Sequence, residues 1–130
     1  MANVLIVDDD SDTVDLSTEL LELAGHRIMK GRNGEEGLKS LGVGPLPDCV
    51  VLDVDMPVLS GPEMAHCMLL HGAGEEKIPI VLVSARSDLP EVARRMGTPY
   101  FLRKATCEYG AALLKLLERA LSERRAPATA

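Results

Sequence analysis

The chain has 130 residues, is 46% hydrophobic and 26% charged, and carries a formal net charge of −6. That size fits one domain with an ordinary core, and no apolar run approaches the length of a membrane span. The acidic balance argues against a surface built to neutralise nucleic-acid phosphates, so neither direct nucleic-acid binding nor membrane insertion is expected. Met1-Ala2-Asn3 enters a strand pattern at once, without the basic start and apolar stretch of a secretory signal, which points to a cytoplasmic address. Cys49, Cys67 and Cys107 are odd in number and lack metal-ligand spacing; buried reduced thiols are expected.

Val4–Val7 is the first apolar run, and it breaks off at Asp8 and Asp9. Thr13–Ala24 follows with a partial helical stripe of Val14, Leu16, Leu20, Leu21, Leu23 and Ala24, opened by Ser11-Asp12 and closed by Gly25. Arg27–Lys30 reads as a weak strand, Gly34–Leu41 as a short helix with Leu38 and Leu41 on one face, and Gly42–Pro47 as turn chemistry. Cys49–Leu52 is an apolar run ending at Asp53, followed by a loop over Met56–Gly61 and a helix over Pro62–Leu70. Pro79–Val83 is a compact strand that stops at Ser84. Leu89–Met96 has room only for a short helix, with Pro90 acceptable in its first turn, before Gly97-Thr98-Pro99 turns the chain into Tyr100–Leu102, just ahead of Lys104. Glu108–Arg124 is the clearest helix, with Leu113, Leu114, Leu117, Ala120 and Leu121 along one side. Residues 1–123 then form the domain and 124–130 a flexible tail or linker stub.

Five strands alternating with five helices predict an α/β three-layer sandwich, and right-handed crossovers leave few ways to wind it. The flavodoxin-like order 2-1-3-4-5 puts the switch point between the first and third strands, with Asp8, Asp9 and Asp53 side by side at the crevice. All strand ends then lie on one edge, so Ser84 and Lys104 join them. Several carboxylates, one hydroxyl and one ammonium suit a divalent cation and a phosphoryl group bound to a carboxylate. Taken singly, each residue has a plainer reading. The acidic triple is compatible with a helix N-terminus, Asp53 with a turn cap, Ser84 with a helix cap and Lys104 with a solvated ammonium. Their coincidence at four equivalent strand ends favours one site.

At this point the residues resemble a known family, the receiver domain of two-component response regulators with its chemotaxis-type fold. Leu5-Ile6-Val7-Asp8-Asp9-Asp10 is similar to the family's acidic start, and Asp53-Val-Asp-Met56-Pro57-Val-Leu-Ser-Gly61 to its spacing of phosphoacceptor, Met-Pro and glycine. Ser84-Ala85, and Gly97 with Phe101 and Lys104, match the rest of the pattern. The resemblance implies that Asp53 takes a phosphoryl group from a phosphohistidine, carried by a sensor histidine kinase or a histidine phosphotransfer protein. It further implies Mg2+ bound by Asp9 directly, by Asp8 mainly through water, by Asp53 and by the backbone carbonyl of Asp55. Lys104 would contact a phosphoryl oxygen, Ser84 would move to another, and Phe101 would turn inward as the switch aromatic. Ala105 stands where the family usually has a proline, so the bond before it is expected to be trans and Lys104 to be aimed differently. The stretch from Ser84 to Gly97 is shorter than the family norm, implying a trimmed or partly disordered fourth helix.

Asp55 and Arg86, two positions after Asp53 and Ser84, are expected to pair over the site and hinder hydrolysis of the phosphorylated state. His26, His66 and His71 show no spacing that suggests a metal or base role. The function expected is a phosphorylation-controlled signalling module, not an enzyme beyond its own phosphotransfer and slow dephosphorylation, with its downstream protein partner open and a phosphorylation-dependent dimer left open. Two alternatives stand beside it: a degenerate receiver acting as a phosphorylation-independent interaction surface, and a haloacid-dehalogenase-type phosphatase using Asp53-Val54-Asp55 as nucleophile and acid.

Overall fold

The computed structural model describes residues 2–43, 46–70 and 78–125. Along the chain run β1 (Asn3–Val7), α1 (Ser11–Leu23), β2 (Arg27–Gly31), α2 (Gly34–Leu41), β3 (Cys49–Asp53), α3 (Gly61–Leu70), β4 (Ile80–Ser84), α4 (Leu89–Met96), β5 (Tyr100–Arg103) and α5 (Tyr109–Arg125). The strands pair in parallel in the order β2-β1-β3-β4-β5, the flavodoxin-like order expected from the sequence. β1, β3 and β4 are buried nearly throughout, as strands covered on both faces must be, and they are the runs the sequence shows as uninterrupted hydrophobics.

Alternate side chains enter two cores. Val4, Ile6, Val51, Val81 and Val83 pack with Val14, Leu21, Leu113 and Leu117 of α1 and α5. Leu5, Val7, Val50, Leu52 and Leu82 pack with Met64, Met68, Leu89 and Ala93 of α3 and α4, and α2 adds Leu38 and Leu41. The period of two along each strand thus sorts the residues into the two outer layers of the sandwich.

Local chemistry moves several boundaries by a residue or two. α1 starts at Ser11 because Asp10 caps it, its carboxylate accepting from the N–H groups of Asp12 at 3.1 Å and Thr13 at 3.5 Å. Ser60 and Glu63 form a reciprocal capping box at the start of α3, at 3.0 and 3.3 Å. α5 continues through Arg125, past the expected tail boundary at Arg124, and residues 126–130 lie outside the described residues, as do Gly44, Pro45 and His71. Cys49 is buried, but Cys67 is half-buried and Cys107 exposed. The expectation of buried thiols fails at Cys107 because it sits in the loop between β5 and α5, where the chain faces solvent.

Candidate functional site

Register alone assembles most of the site. Val7 pairs with Leu52, so the residue after β1 comes level with the last residue of β3, which sets Asp8 beside Asp53. Asp53 pairs with Val83 and Ser84 with Arg103, so Ser84 and Lys104 follow at the same edge. Backbone bonds from Asp8 N–H to Gly31 O and from Lys104 N–H to Ser84 O, both 3.0 Å, extend the ladder up to these residues. Asp8, Asp53 and Ser84 are buried, while Asp9 is exposed at the rim.

Lys104 Nζ donates to Asp8 Oδ1 at 3.1 Å and lies 3.0 Å from Asp8 Oδ2 and 3.4 Å from Asp53 Oδ2. It therefore reaches the site although Ala105 follows it, and the bond before Ala105 is trans. Burial would lower its pKa, but hydrogen bonding to and the charge of Asp8, and then Asp53, raise it overall, so it remains an ammonium. Burial, reinforced by the Asp8 charge and opposed by Lys104, pushes the Asp53 carboxyl up to about 7.

Asp8, Asp9 and Asp53 each offer a carboxylate oxygen, and these atoms lie within 4.8 Å of one another. Asp8 Oδ2 is buried, and its only neighbour of opposite charge among the described residues is the Lys104 ammonium at 3.0 Å. A hard divalent cation fits this donor set: all ligands are oxygen, and the single ammonium of Lys104 does not balance the three carboxylates gathered there.

Arg86 Nη1 meets Asp55 Oδ1 at 3.1 Å, the pair expected from the sequence. Asp55 is exposed and engaged by this guanidinium, which is not the setting of a general acid for Asp53. Ser84 Oγ accepts the N–H of Arg86 at 3.1 Å. Phe101 lies on the outward face of β5, 37% exposed, whereas its neighbour Tyr100 is buried and bonds Glu123 of α5. His26 is away from this edge, its Nδ1 accepting the N–H of Ala2 at 3.1 Å, and His66 is exposed on α3.

Sequence reasoning missed two elements of the surroundings. Asp88 grips Arg86 at 2.7 and 2.9 Å, and nothing local distinguishes it from a helix cap. Ser17 Oγ and Tyr109 OH form a buried hydrogen bond of 3.4 Å that ties α1 to the start of α5, beside the loop carrying Lys104.

A family model described as the response regulator receiver domain matches residues 4–117. Protein PilH of Pseudomonas aeruginosa is 32% identical over 124 residues, covering 94% of this chain and 99% of PilH. Transcriptional regulatory protein PrrA of Mycobacterium tuberculosis is 35% identical over 88 residues, 68% of this chain, which is 36% of PrrA's own length. Among solved structures, the signal receiver domain of a signal transduction histidine kinase from Syntrophus aciditrophicus is similar with a TM-score of 0.82 at 25% identity, covering 100% of this chain and 97% of that one. The chemotaxis protein CheY4 of Vibrio cholerae gives 0.80 at 25% identity, covering 92% and 98%.

Proposed function

The chain belongs to the response regulator receiver domain family of two-component signalling, and from that membership we propose that Asp53 is its phosphoacceptor. The supporting observation is the convergence of Asp8, Asp9, Asp53 and Lys104 within salt-bridge and ligand distance at one sheet edge, with Ser84 on the adjoining strand. The phosphoryl donor is the phosphohistidine of a sensor histidine kinase or of a histidine phosphotransfer protein. An Asp53 oxygen attacks phosphorus in line, the bond to the histidine nitrogen breaks, and an acyl phosphate remains on Asp53.

Asp8, Asp9, Asp53 and the backbone carbonyl of Asp55 would hold Mg2+. Bound there, Mg2+ supplies positive charge that favours ionised Asp53 and offsets its repulsion of the incoming anion. Lys104 holds its proton and turns one N–H from the carboxylates to a phosphoryl oxygen as a point charge. The Ser84 hydroxyl, now accepting from Arg86 N–H, donates its own proton to another phosphoryl oxygen. Phe101 turns inward behind it and alters the surface of β5 that a downstream protein reads, while the Asp55–Arg86 pair slows the return to the unphosphorylated state. Receiver domains are not conventional enzymes, and this one hydrolyses only its own phosphoryl group. Residues 1–123 make up the working domain on this reading, with α5 running on through Arg125.

Incubation with acetyl phosphate and Mg2+, followed by intact-mass measurement, tests the reading. A gain of one phosphoryl group that is absent from Asp53→Asn is expected. No gain, under conditions that label an ordinary receiver, would favour a phosphorylation-independent interaction module, and a gain retained in Asp53→Asn would place the acceptor elsewhere.

A further inference from the structure

We propose that Asp88 is a positioning residue of the phosphoryl site: it fixes the Arg86 guanidinium so that Arg86 closes a clasp on Asp55 between the loops that leave β3 and β4. The proposal rests on Asp53 being the phosphoacceptor.

Arg86 Nε lies 2.7 Å from Asp88 Oδ1 and Nη2 lies 2.9 Å from Asp88 Oδ2, two parallel bonds of fork geometry. That leaves Nη1 for Asp55 Oδ1 at 3.1 Å. Asp88 also stands at the cap position of α4, where an aspartate ordinarily accepts from the first turn, yet its side chain makes no capping bond. Its carboxylate is committed to Arg86, whose hydrogen bonds lower the Asp88 pKa from its ordinary value. The loop between them is pinned from the other side, where Arg103 Nη2 donates to Ser87 O at 2.7 Å.

Asp55 follows Asp53 by two residues and Arg86 follows Ser84 by two, on neighbouring strands, so the clasp bridges the edge on the β4 side of the acceptor. Outside it lies a cavity of about 530 Å³ between α3 and α4, walled by Val54, Asp55, His66, Arg86 and Met96 but not by Asp53. A water occupies roughly 30 Å³, so the cavity has room for solvent against the outer side of the clasp, and on this proposal the clasp stands between that solvent and Asp53. In hydrolysis the water oxygen bonds to phosphorus as the bond from phosphorus to the Asp53 oxygen breaks; the carboxylate leaves with the electron pair and the water's proton passes to the released phosphate. An Arg86–Asp55 pair alone, with side chains 42% and 61% exposed, would be weak, because ordering a long side chain offsets most of the attraction. Asp88 orders that side chain beforehand, leaving less freedom to lose when Nη1 meets Asp55.

The test is the decay of the phosphorylated mass after the acetyl phosphate is removed, in wild type, Asp88→Asn, Arg86→Ala, Arg86→Lys and the Asp88→Asn/Arg86→Ala double variant. Labelling of the wild type at the start, absent from Asp53→Asn run alongside, reports on Asp53 as acceptor, so failure of either sinks the phosphoacceptor reading, whereas the comparison of decay rates addresses the clasp. Asp88→Asn is expected to decay about two- to five-fold faster, with the difference shrinking at high salt. Arg86→Lys, which keeps the charge without the fork, should behave like Asp88→Asn. In the Arg86→Ala background Asp88→Asn should add nothing, because Asp88 acts only through Arg86. Unchanged or slower decay in Asp88→Asn overturns the proposal, and so does an equal acceleration in the Arg86→Ala background, which would mark Asp88 as support for α4 alone.

Discussion

Replacing Asp53 by asparagine is predicted to stabilise the metal-free fold near neutral and mildly alkaline pH. Burial first, and the Asp8 charge second, raise the Asp53 carboxyl from 3.8 to about 7, so the folded chain holds this proton more tightly than the unfolded chain does. The stability contributed by such a group is complete below 3.8 and is lost as the pH rises through about 7. That separation corresponds to on the order of 4 kcal/mol, an upper bound because the site relaxes and Lys104 retains Asp8. Asparagine keeps the shape and carries no charge, so Asp53→Asn should gain about 1–4 kcal/mol at about pH 8 and roughly half as much or less at about pH 5. Urea unfolding in a chelator, read as the shift in midpoint at unchanged slope, measures both values. Added Mg2+ should narrow the difference by stabilising the native wild type. A variant less stable than wild type at the higher pH, or a gain equal at both, would refute the charge argument.

Three further substitutions probe other parts of the account. Gly61 donates its N–H to Val54 O, and a Cβ there would strike the Asp53 carbonyl oxygen and lie 3.2 Å from Asp53 C and Val54 Cα, so Gly61→Ala should cost about 1–3 kcal/mol in urea unfolding and slow labelling by acetyl phosphate. Unchanged values of both would show that the loop is looser than described. Lys104→Met leaves Asp8 and Asp53 without a cation and should cost about 3–5 kcal/mol at about pH 8, recovering as Asp53 is protonated on acidification; a pH-independent loss would point to packing instead. Burial lowers the His26 imidazole below its ordinary 6.5, so its contribution is present above 6.5 and lost as the pH falls through the lower folded value. Wild-type stability should therefore drop more steeply than that of His26→Gln between about pH 7 and pH 5, and parallel curves in thermal unfolding would contradict this.

What the sequence showed and what it concealed follow from how each feature is encoded. β1, β3 and β4 are written as uninterrupted apolar runs because both faces are covered, and their ends mark the site. β2 reads weakly because it is an edge strand in which Gly31 alone is buried, and its pairing with β1 rather than its composition makes it a strand. The acidic triple was ambiguous between ligand and helix cap, and both readings apply to different residues: Asp8 and Asp9 enter the carboxylate cluster while Asp10 caps α1. Ala105 stands in place of the usual proline, yet the ladder bond from the Lys104 N–H to Ser84 O carries the ammonium to the site. Asp88 was hidden because an aspartate before Leu89-Pro90-Glu91 has the pattern of a helix cap, and only the position of Arg86 in space reveals its other role. The Ser17–Tyr109 bond joins residues 92 apart and leaves no local trace.

The most direct test of the central claim is to treat the acetyl phosphate-labelled protein with borohydride, which reduces an aspartyl phosphate to homoserine, and to locate the change by tandem mass spectrometry. Homoserine confined to the peptide carrying Asp53, and formed only when Mg2+ and phosphodonor are both present, is the result the account predicts. Homoserine at another carboxylate, or none at all in protein that has gained a phosphoryl group, would contradict it.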